Sequence, residues 1–476
     1  MNTWLLVLVP LAMAPVIYAA GKRVLLVRGL LLLTAVLHFA GVAALLLLRR
    51  NPTPAGEWLA ADTTGLVVLG ATSFLFLCVS IHAWFWLPMA REFEGAHGKG
   101  LMRENLFCAG LPVFLATMTM VTLARNFGLL WVAVEATTLA SAPLICFHRS
   151  PGSLEAMWKY LLICSVGIGL ALFGTLLLGV AIRQPDGEAS GLGFSALMNA
   201  GNTFDPVWFK TAFIFCFAGY GLKMGLAPFH TWLPDAHSEA PSMVSVLLSG
   251  ALVNCAFLGI VRVLNISPAP LRGFCNEYLV AFGLLSLAVA AFFIIRQSDY
   301  KRLLAYSSVE HMGLIALLYG LGVGGGSIAL LHLFAHSLTK MLLFLVAGNI
   351  LLAYGTRKVR LVHGMFSRMP RNAVLWLAGM LLICGTPPSP FFVTEFLLVR
   401  SAGVWLGGVI MILLVAVFFG MSAAFMKMTM GEDIAVSGRR PSDAAAEKLA
   451  WLPATLLVLV LAFGCRLTLK LMEVWA

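Results

Sequence analysis

Charge is what this chain has least of: 11% of its 476 residues are Asp, Glu, Lys or Arg, against 60% hydrophobic ones. A soluble domain needs more polar surface than that, so a water-soluble enzyme is excluded and a polytopic membrane protein implied. Acid is scarcer than base, 21 residues against 32, leaving a net charge of +11. The basic residues sit in short stretches between apolar runs, so they report membrane topology and not nucleic-acid binding. Nine cysteines lie scattered through apolar runs without a Cys-x-x-Cys pair, giving no sign of a disulfide framework, an iron–sulfur cluster or structural zinc. Dinucleotide-binding motifs are missing too. We expect no cofactor, no metal and no redox site in this chain, which leaves open only whether it serves an enzyme as a subunit.

What the chain does have is a succession of apolar runs, at 3–20, 24–48, 65–88, 105–123, 127–147, 158–182, 207–227, 243–264, 278–296, 303–322, 327–353, 373–399, 404–426 and 450–472. These predict an all-α polytopic fold of about fourteen helices. The first run has no basic residue ahead of it, so it reads as a helix and not as a cleaved signal. Lys and Arg concentrate in the odd-numbered loops, for example Lys22, Arg23 and Arg28, then Arg91, Lys99 and Arg103, then Arg357, Lys358 and Arg360. Those loops are expected to face the cytoplasm of a prokaryotic inner membrane, with both termini on the other side. The polar stretches from Gln184 to Asp205 and from Gly431 to Glu447 read as solvated connections.

Two runs are broken. In FIFCFAGYGLKMGLAPFHTWLPDAHSEAP, Lys223 comes late in an apolar segment and Pro228 then interrupts it; in GMLLICGTPPSPFFVTEFLLVRS, Gly385, Pro387, Pro388 and Pro390 precede Glu395. Paired interruptions in two halves of a membrane protein point to an inverted-repeat transporter. A lysine at bilayer depth costs about 2.5–3.5 kcal/mol, so Lys223 needs a partner or a role, unless it snorkels to the interface. Glu135, central in LLWVAVEATTLAS, is the natural partner. Such a pair is either a proton switch, because each partner sets the other's proton affinity, or a static salt bridge.

Further ionisable groups follow. His332, His336 and Lys340 are spaced by four and form one helical stripe, readable as a ladder of titratable groups, as interhelical hydrogen bonding, or as a two-histidine zinc site short of a third ligand. Glu310 and His311 fit either the inner mouth of a path or a polar helix end. Lys159, four residues after Glu155, is either a surface pair or a modulator of Glu135. His230, Asp235, His237 and Glu239 crowd the end of the broken segment as a proton inlet or a solvated loop.

The stretches GLKMGLAPFHTWLPDAHSEAPSMVSVLLSGALV, RQSDYKRLLAYSSVEHMGLI, HSLTKMLLF and PFFVTEF resemble the antiporter-like proton-channel subunits of respiratory complex I, the Mrp antiporters and membrane-bound group 4 hydrogenases, most of all the hydrogenase-4 component F type. The resemblance implies fourteen helices with two inverted five-helix repeats, helices four to eight and nine to thirteen. An N-terminal segment over 1–104, repeats over 105–264 and 265–426, and a C-terminal loop and helix over 427–476 follow from it. It implies a proton-translocating subunit of a redox-driven complex, working beside other membrane subunits in lipid. The alternative is a cation/proton antiporter module, moving Na+ as well as protons, or the membrane partner of an inorganic-carbon uptake complex. Glu135, Lys223, His336 and Glu395 match the family's pathway positions. Asn254 stands where many members carry a lysine, so water, Ser249 or Lys340 is expected to fill the centre of the path, with Lys340 linked through His336 and water to Lys223 on one side and towards Glu395 on the other. The resemblance leads us to expect no long lateral helix after 472.

Overall fold

The computed structural model describes residues 3–47, 58–95, 103–182, 192–200, 204–431 and 446–473. Among them the chain is helical almost throughout: α1 Trp4–Ala19, α2 Val24–Leu47, α3 Thr63–Gly95, α4 Glu104–Leu123, α5 Phe127–Ile145, α6 Pro151–Ala181, α7 Phe194–Ala200, α8 Pro206–Met224 and α9 Trp232–Glu239. Then come α10 Ser242–Leu247, α11 Val253–Asn265, α12 Ala269–Ile295, α13 Tyr300–Gly320, α14 Ser327–Tyr354, α15 Met365–Arg368, α16 Pro370–Ile383, α17 Pro390–Ser401, α18 Gly403–Thr429 and α19 Trp451–Glu473. Among the described residues, 11 helical segments are long and apolar enough to cross a membrane, and α1 and α16 are shorter apolar helices. The protein is an integral, multi-pass membrane protein.

Local chemistry sets the boundaries. Asn126, Asp205, Asp299 and Ser389 each cap a helix by accepting from backbone N–H groups of its first turn. Helix α6 starts seven residues before the expected position, because Ser150 and Ser153 form a reciprocal capping box with Pro151 at the first position. The first interruption is made by Gly225, which closes α8 with φ +85°, three residues before Pro228. The second has the same device, Gly385 at φ +68°, before Pro390 opens α17. A cis peptide precedes Pro228 and another precedes Pro388. Between α10 and α11 the helix widens into a π-type turn over 248–252, and Ser337 donates to the Gly250 carbonyl there at 2.8 Å.

Two compact units result, Met1–Ser80 with Met102–Trp232 and Ala251–Leu279, and Ile81–Leu101 with Leu233–Gly250 and Val280–Ala476. In the first, α6 and α8 pack backbone to backbone: a Cβ at Gly219 would lie 2.5 Å from the Gly167 carbonyl oxygen and 2.6 Å from the Ala171 Cβ. Such small-residue packing is how helices approach closely in lipid, and it brings Lys223 of α8 against Tyr160 of α6. The stretch 184–205 is more than a solvated connection. Its residues 194–200 fold as α7, burying Phe194 and Leu197, with the Phe194 ring 4.5 Å from that of Phe127 and 4.8 Å from the Arg262 guanidinium. The aromatic and aliphatic residues in it outweigh its polar flanks. Most of 431–447 lies outside the described residues.

Arg28 is no loop residue either. It is buried in the second turn of α2, where its Nε donates to Glu104 Oε1 of α4 at 2.5 Å, with side chains 10% and 4% exposed. Removing one partner leaves a buried, uncompensated charge, at a cost of about 3–5 kcal/mol. We expect Glu104→Leu alone to lower the unfolding temperature of the detergent-solubilised protein sharply, and Arg28→Met with Glu104→Leu to restore most of it. Equal destabilisation by the single and double variants would contradict the pairing.

Candidate functional site

In the first unit Glu135 of α5 and Lys223 of α8 are joined through one hydroxyl. Lys223, with no exposure to solvent, donates from Nζ to Thr138 Oγ1 at 2.5 Å, and Thr138 Oγ1 lies 3.4 Å from Glu135 Oε2 as donor. The other carboxylate oxygen accepts from Ser165 at 2.7 Å. Lys223 also donates to Tyr160 Oη at 3.0 Å, and that phenol is 2.7 Å from Ser141 Oγ. The broken end of α8 is held by Trp232, whose Nε1–H donates to the Leu222 carbonyl at 2.9 Å and whose ring packs 5.0 Å from that of Tyr160. The break thus fixes the last turn of α8 and the lysine on it. Lys159 points away, half exposed, and pairs with Glu155 at 2.6 Å, the geometry of a surface i, i+4 pair. His230, in the turn after the break, is buried, and so is Asn254 on α11.

The second unit assembles a longer chain. His332 Nδ1 lies 2.8 Å from Thr394 Oγ1, and His332 Nε2 lies 2.8 Å from His311 Nδ1. Thr394 already donates to the Phe391 carbonyl at 3.0 Å, so it accepts from His332 Nδ1–H. Neutral His332 then accepts at Nε2, and His311 donates to it from Nδ1. The chain of hydrogen bonds therefore runs in one direction, His311 to His332 to Thr394. The His336 ring is 5.4 Å from that of His311, and neither of its nitrogens meets a hydrogen-bonding protein group among the described residues. Lys340, fully buried, donates to the Leu304 carbonyl at 2.6 Å and to Ser307 Oγ. Its amine does not snorkel.

Glu310 is buried mid-helix in α13, three residues after Ser307, so it and His311 belong to this cluster and not to a polar helix end. Glu395, in the second turn of α17, occupies the space that a side chain on Gly385 would need. His237 stacks on Phe344 with ring centroids 5.1 Å apart, and Lys340 lies 6.0 Å from the same ring. The acids near it are engaged: Asp235 with Arg302 at 3.2 Å, Glu239 with Arg357 at 2.7 Å. Lys301 donates to the Ala240 carbonyl at 2.5 Å. Among the described residues no three His, Cys, Asp or Glu side chains gather as a metal site.

Sequence reasoning missed the hydroxyls, namely Thr138, Tyr160, Ser165, Ser307 and Thr394. A hydroxyl costs little in an apolar helix and leaves no gap in hydropathy. The one available signal was spacing: Thr138 follows Glu135 by three residues, and Thr394 adjoins Glu395.

The profile of the family "NADH:quinone oxidoreductase/Mrp antiporter, TM" matches residues 124–422, which hold both clusters. A hydrogenase-4 component F homolog of Methylacidiphilum infernorum (isolate V4) is 35% identical over 377 residues, 78% of each chain. Hydrogenase-4 component B of Escherichia coli (strain K12) is 30% identical over 409 residues, 81% of this chain, which spans 58% of that longer relative. The same fold occurs in the Mrp complex from Dietzia sp. DQ12-45-1b, where a chain superposes with a TM-score of 0.83 at 19% identity over 99% of this chain and 96% of that one. With its membrane-spanning helices, its two interrupted segments and the lysines buried beside them, this chain is a member of the NADH:quinone oxidoreductase/Mrp antiporter family of membrane subunits.

Proposed function

We propose that the protein is the proton-translocating membrane subunit of a redox-driven complex of the hydrogenase-4 or complex I kind, set in the inner membrane of a prokaryote with both termini on the non-cytoplasmic side. Fourteen crossings, with inverted repeats over 105–264 and 265–426, are part of this reading, and the cytoplasmic bias of Lys and Arg supports its orientation. The observation that carries the function is the pairing, in each unit, of a fully buried lysine with hydroxyl or carbonyl partners and a carboxylate close by: Lys223 with Thr138 and Glu135, Lys340 with Ser307 and Glu310. A buried ammonium is costly in an apolar protein, and held by neutral oxygens it can gain and lose a proton without breaking an ion pair.

Protons enter the second unit past Asp235, Glu239 and His237, reach Lys340, which takes the central place that Asn254 leaves, and continue over His336, His311 and His332 towards Glu395. Water completes the hydrogen bonding of His336, since a buried imidazole with neither nitrogen bonded is costly. Glu135 and Lys223 form the switch of the first unit, and Lys159 with Glu155 sits at its edge. Glu135→Gln tests the reading. In inverted membrane vesicles carrying the assembled complex, redox-driven proton uptake followed with a pH-sensitive dye should fall at least about tenfold, because an amide cannot exchange a proton. Uptake at the normal rate would show that this pair is structural only.

A further inference from the structure

Arginine and lysine divide the buried charges between them. Among the described residues, the ion pairs with a buried cation use arginine, Arg28 with Glu104 and Arg262 with Asp62; more exposed arginines pair likewise, Arg125 with Asp62, Arg302 with Asp235, and Arg357 with Glu239 and Asp299. The lysine pair among them is Lys159 with Glu155, on the surface. A guanidinium keeps its charge and grips a carboxylate in a fixed fork; an ammonium is the cation that can be emptied. In this protein arginines lock helices together, whereas Lys223 rests on a hydroxyl.

That hydroxyl has an unusual freedom. On the same helix Thr137 donates back to the Val134 carbonyl at 2.6 Å and Ser141 to the Thr137 carbonyl at 2.7 Å, the ordinary fate of a hydroxyl inside a helix. Thr138 makes no such back-bond among the described residues. Its oxygen takes the Lys223 ammonium, and its proton faces Glu135 across the longer 3.4 Å contact. Ser307 shows the contrast: it too accepts from a buried lysine, but its own proton goes to the Leu304 carbonyl at 3.1 Å, so it can hold Lys340 without passing anything on.

Resting on the proton-translocating reading, we infer that Thr138 is the positioning residue through which Glu135 and Lys223 exchange a proton. With Lys223 charged and Glu135 ionised, Thr138 accepts from the ammonium and donates to the carboxylate. If Nζ gives a proton to the threonine oxygen while the threonine proton passes to Glu135 Oε2, one N–H and one O–H bond break and two O–H bonds form. Lys223 ends as a neutral amine, Glu135 as a carboxylic acid and Thr138 as the hydroxyl it began as. The product is satisfied by the same geometry with each hydrogen bond reversed: the acid donates to Thr138, and Thr138 donates to the amine. Both charge states therefore keep their hydrogen bonds, and no side chain needs to travel.

The test uses the assembled complex in inverted vesicles, comparing wild type, Thr138→Val, Thr138→Ser and Glu135→Gln for redox-driven proton uptake across a range of pH. Valine keeps the shape and removes the hydroxyl. We expect Thr138→Val to slow uptake about tenfold with a displaced pH profile, and Thr138→Ser to stay within about twofold of wild type with the wild-type profile. Thr138→Val at the wild-type rate and profile would overturn the inference, as would a serine variant as slow as the valine one, which would mark a packing role. If Thr138→Val does not assemble, Thr138→Ala takes its place with the same outcomes. The two levels separate cleanly. Normal uptake by Glu135→Gln sinks the function proposed for the pair, whereas an inactive Glu135→Gln beside a normal Thr138→Val sinks the role of Thr138 alone.

Discussion

Replacing Lys340 with methionine is expected to lower proton translocation by the assembled complex about 100-fold while the complex still assembles, the size of effect seen when a positioned proton carrier is removed. The lysine lies fully buried in α14, its amine held by the Leu304 carbonyl and the Ser307 hydroxyl. Among the described residues no carboxylate in direct contact fixes its charge. Methionine has similar length and is at home in an apolar wall, so the packing of α14 survives, while the proton site is lost. The position is demanding because Asn254 cannot titrate, and His237 and Lys340 meet at the Phe344 ring, where the proposed inlet would reach the cluster. The measurement is the number of protons taken up by vesicles per electron pair passed through the complex. A Lys340→Met complex that pumps at the wild-type ratio would remove Lys340 from the path.

Glu395→Gln should be as severe. The carboxylate sits in the second turn of α17, against the Cα of Gly385 at the break between α16 and α17. The directed chain from His311 through His332 ends on Thr394, the residue before it, whose own proton goes to the Phe391 carbonyl, so in the proposed path the last step to Glu395 runs through water and not through that hydroxyl. A glutamine fits the same space and keeps a hydrogen-bonding carbonyl, so the broken segment should hold. It cannot release a proton, and uptake should fall about 100-fold with the subunit composition of the purified complex unchanged. Normal pumping by that complex would place the outlet at another group, with Glu310 the first to examine, since it is a buried acid of this unit, whereas Glu395 is partly exposed.

Hydropathy and composition alone establish that this is a helical membrane protein, where most of its helices run, that two of them are interrupted, and which ionisable groups lie in apolar surroundings. These are local signals: a run of hydrophobic residues, a glycine or proline within it, or a charge where charge is costly can each be read without knowing any neighbour. Glu135, Lys223 and Lys340 stood out for that reason. How the groups are connected depends on packing between distant segments. Thr138 and Lys223 are 85 residues apart and His332 and Thr394 are 62 apart, and no periodicity links them. Packing also locks α2 to α4 through Arg28, folds residues 194–200 into a short helix that buries Phe194 and Leu197, and turns Lys159 outward while its neighbour Tyr160 faces in. Hydroxyls escape sequence reading because they cost little in an apolar helix, yet once two helices pack, their directional hydrogen bonds determine which charge meets which.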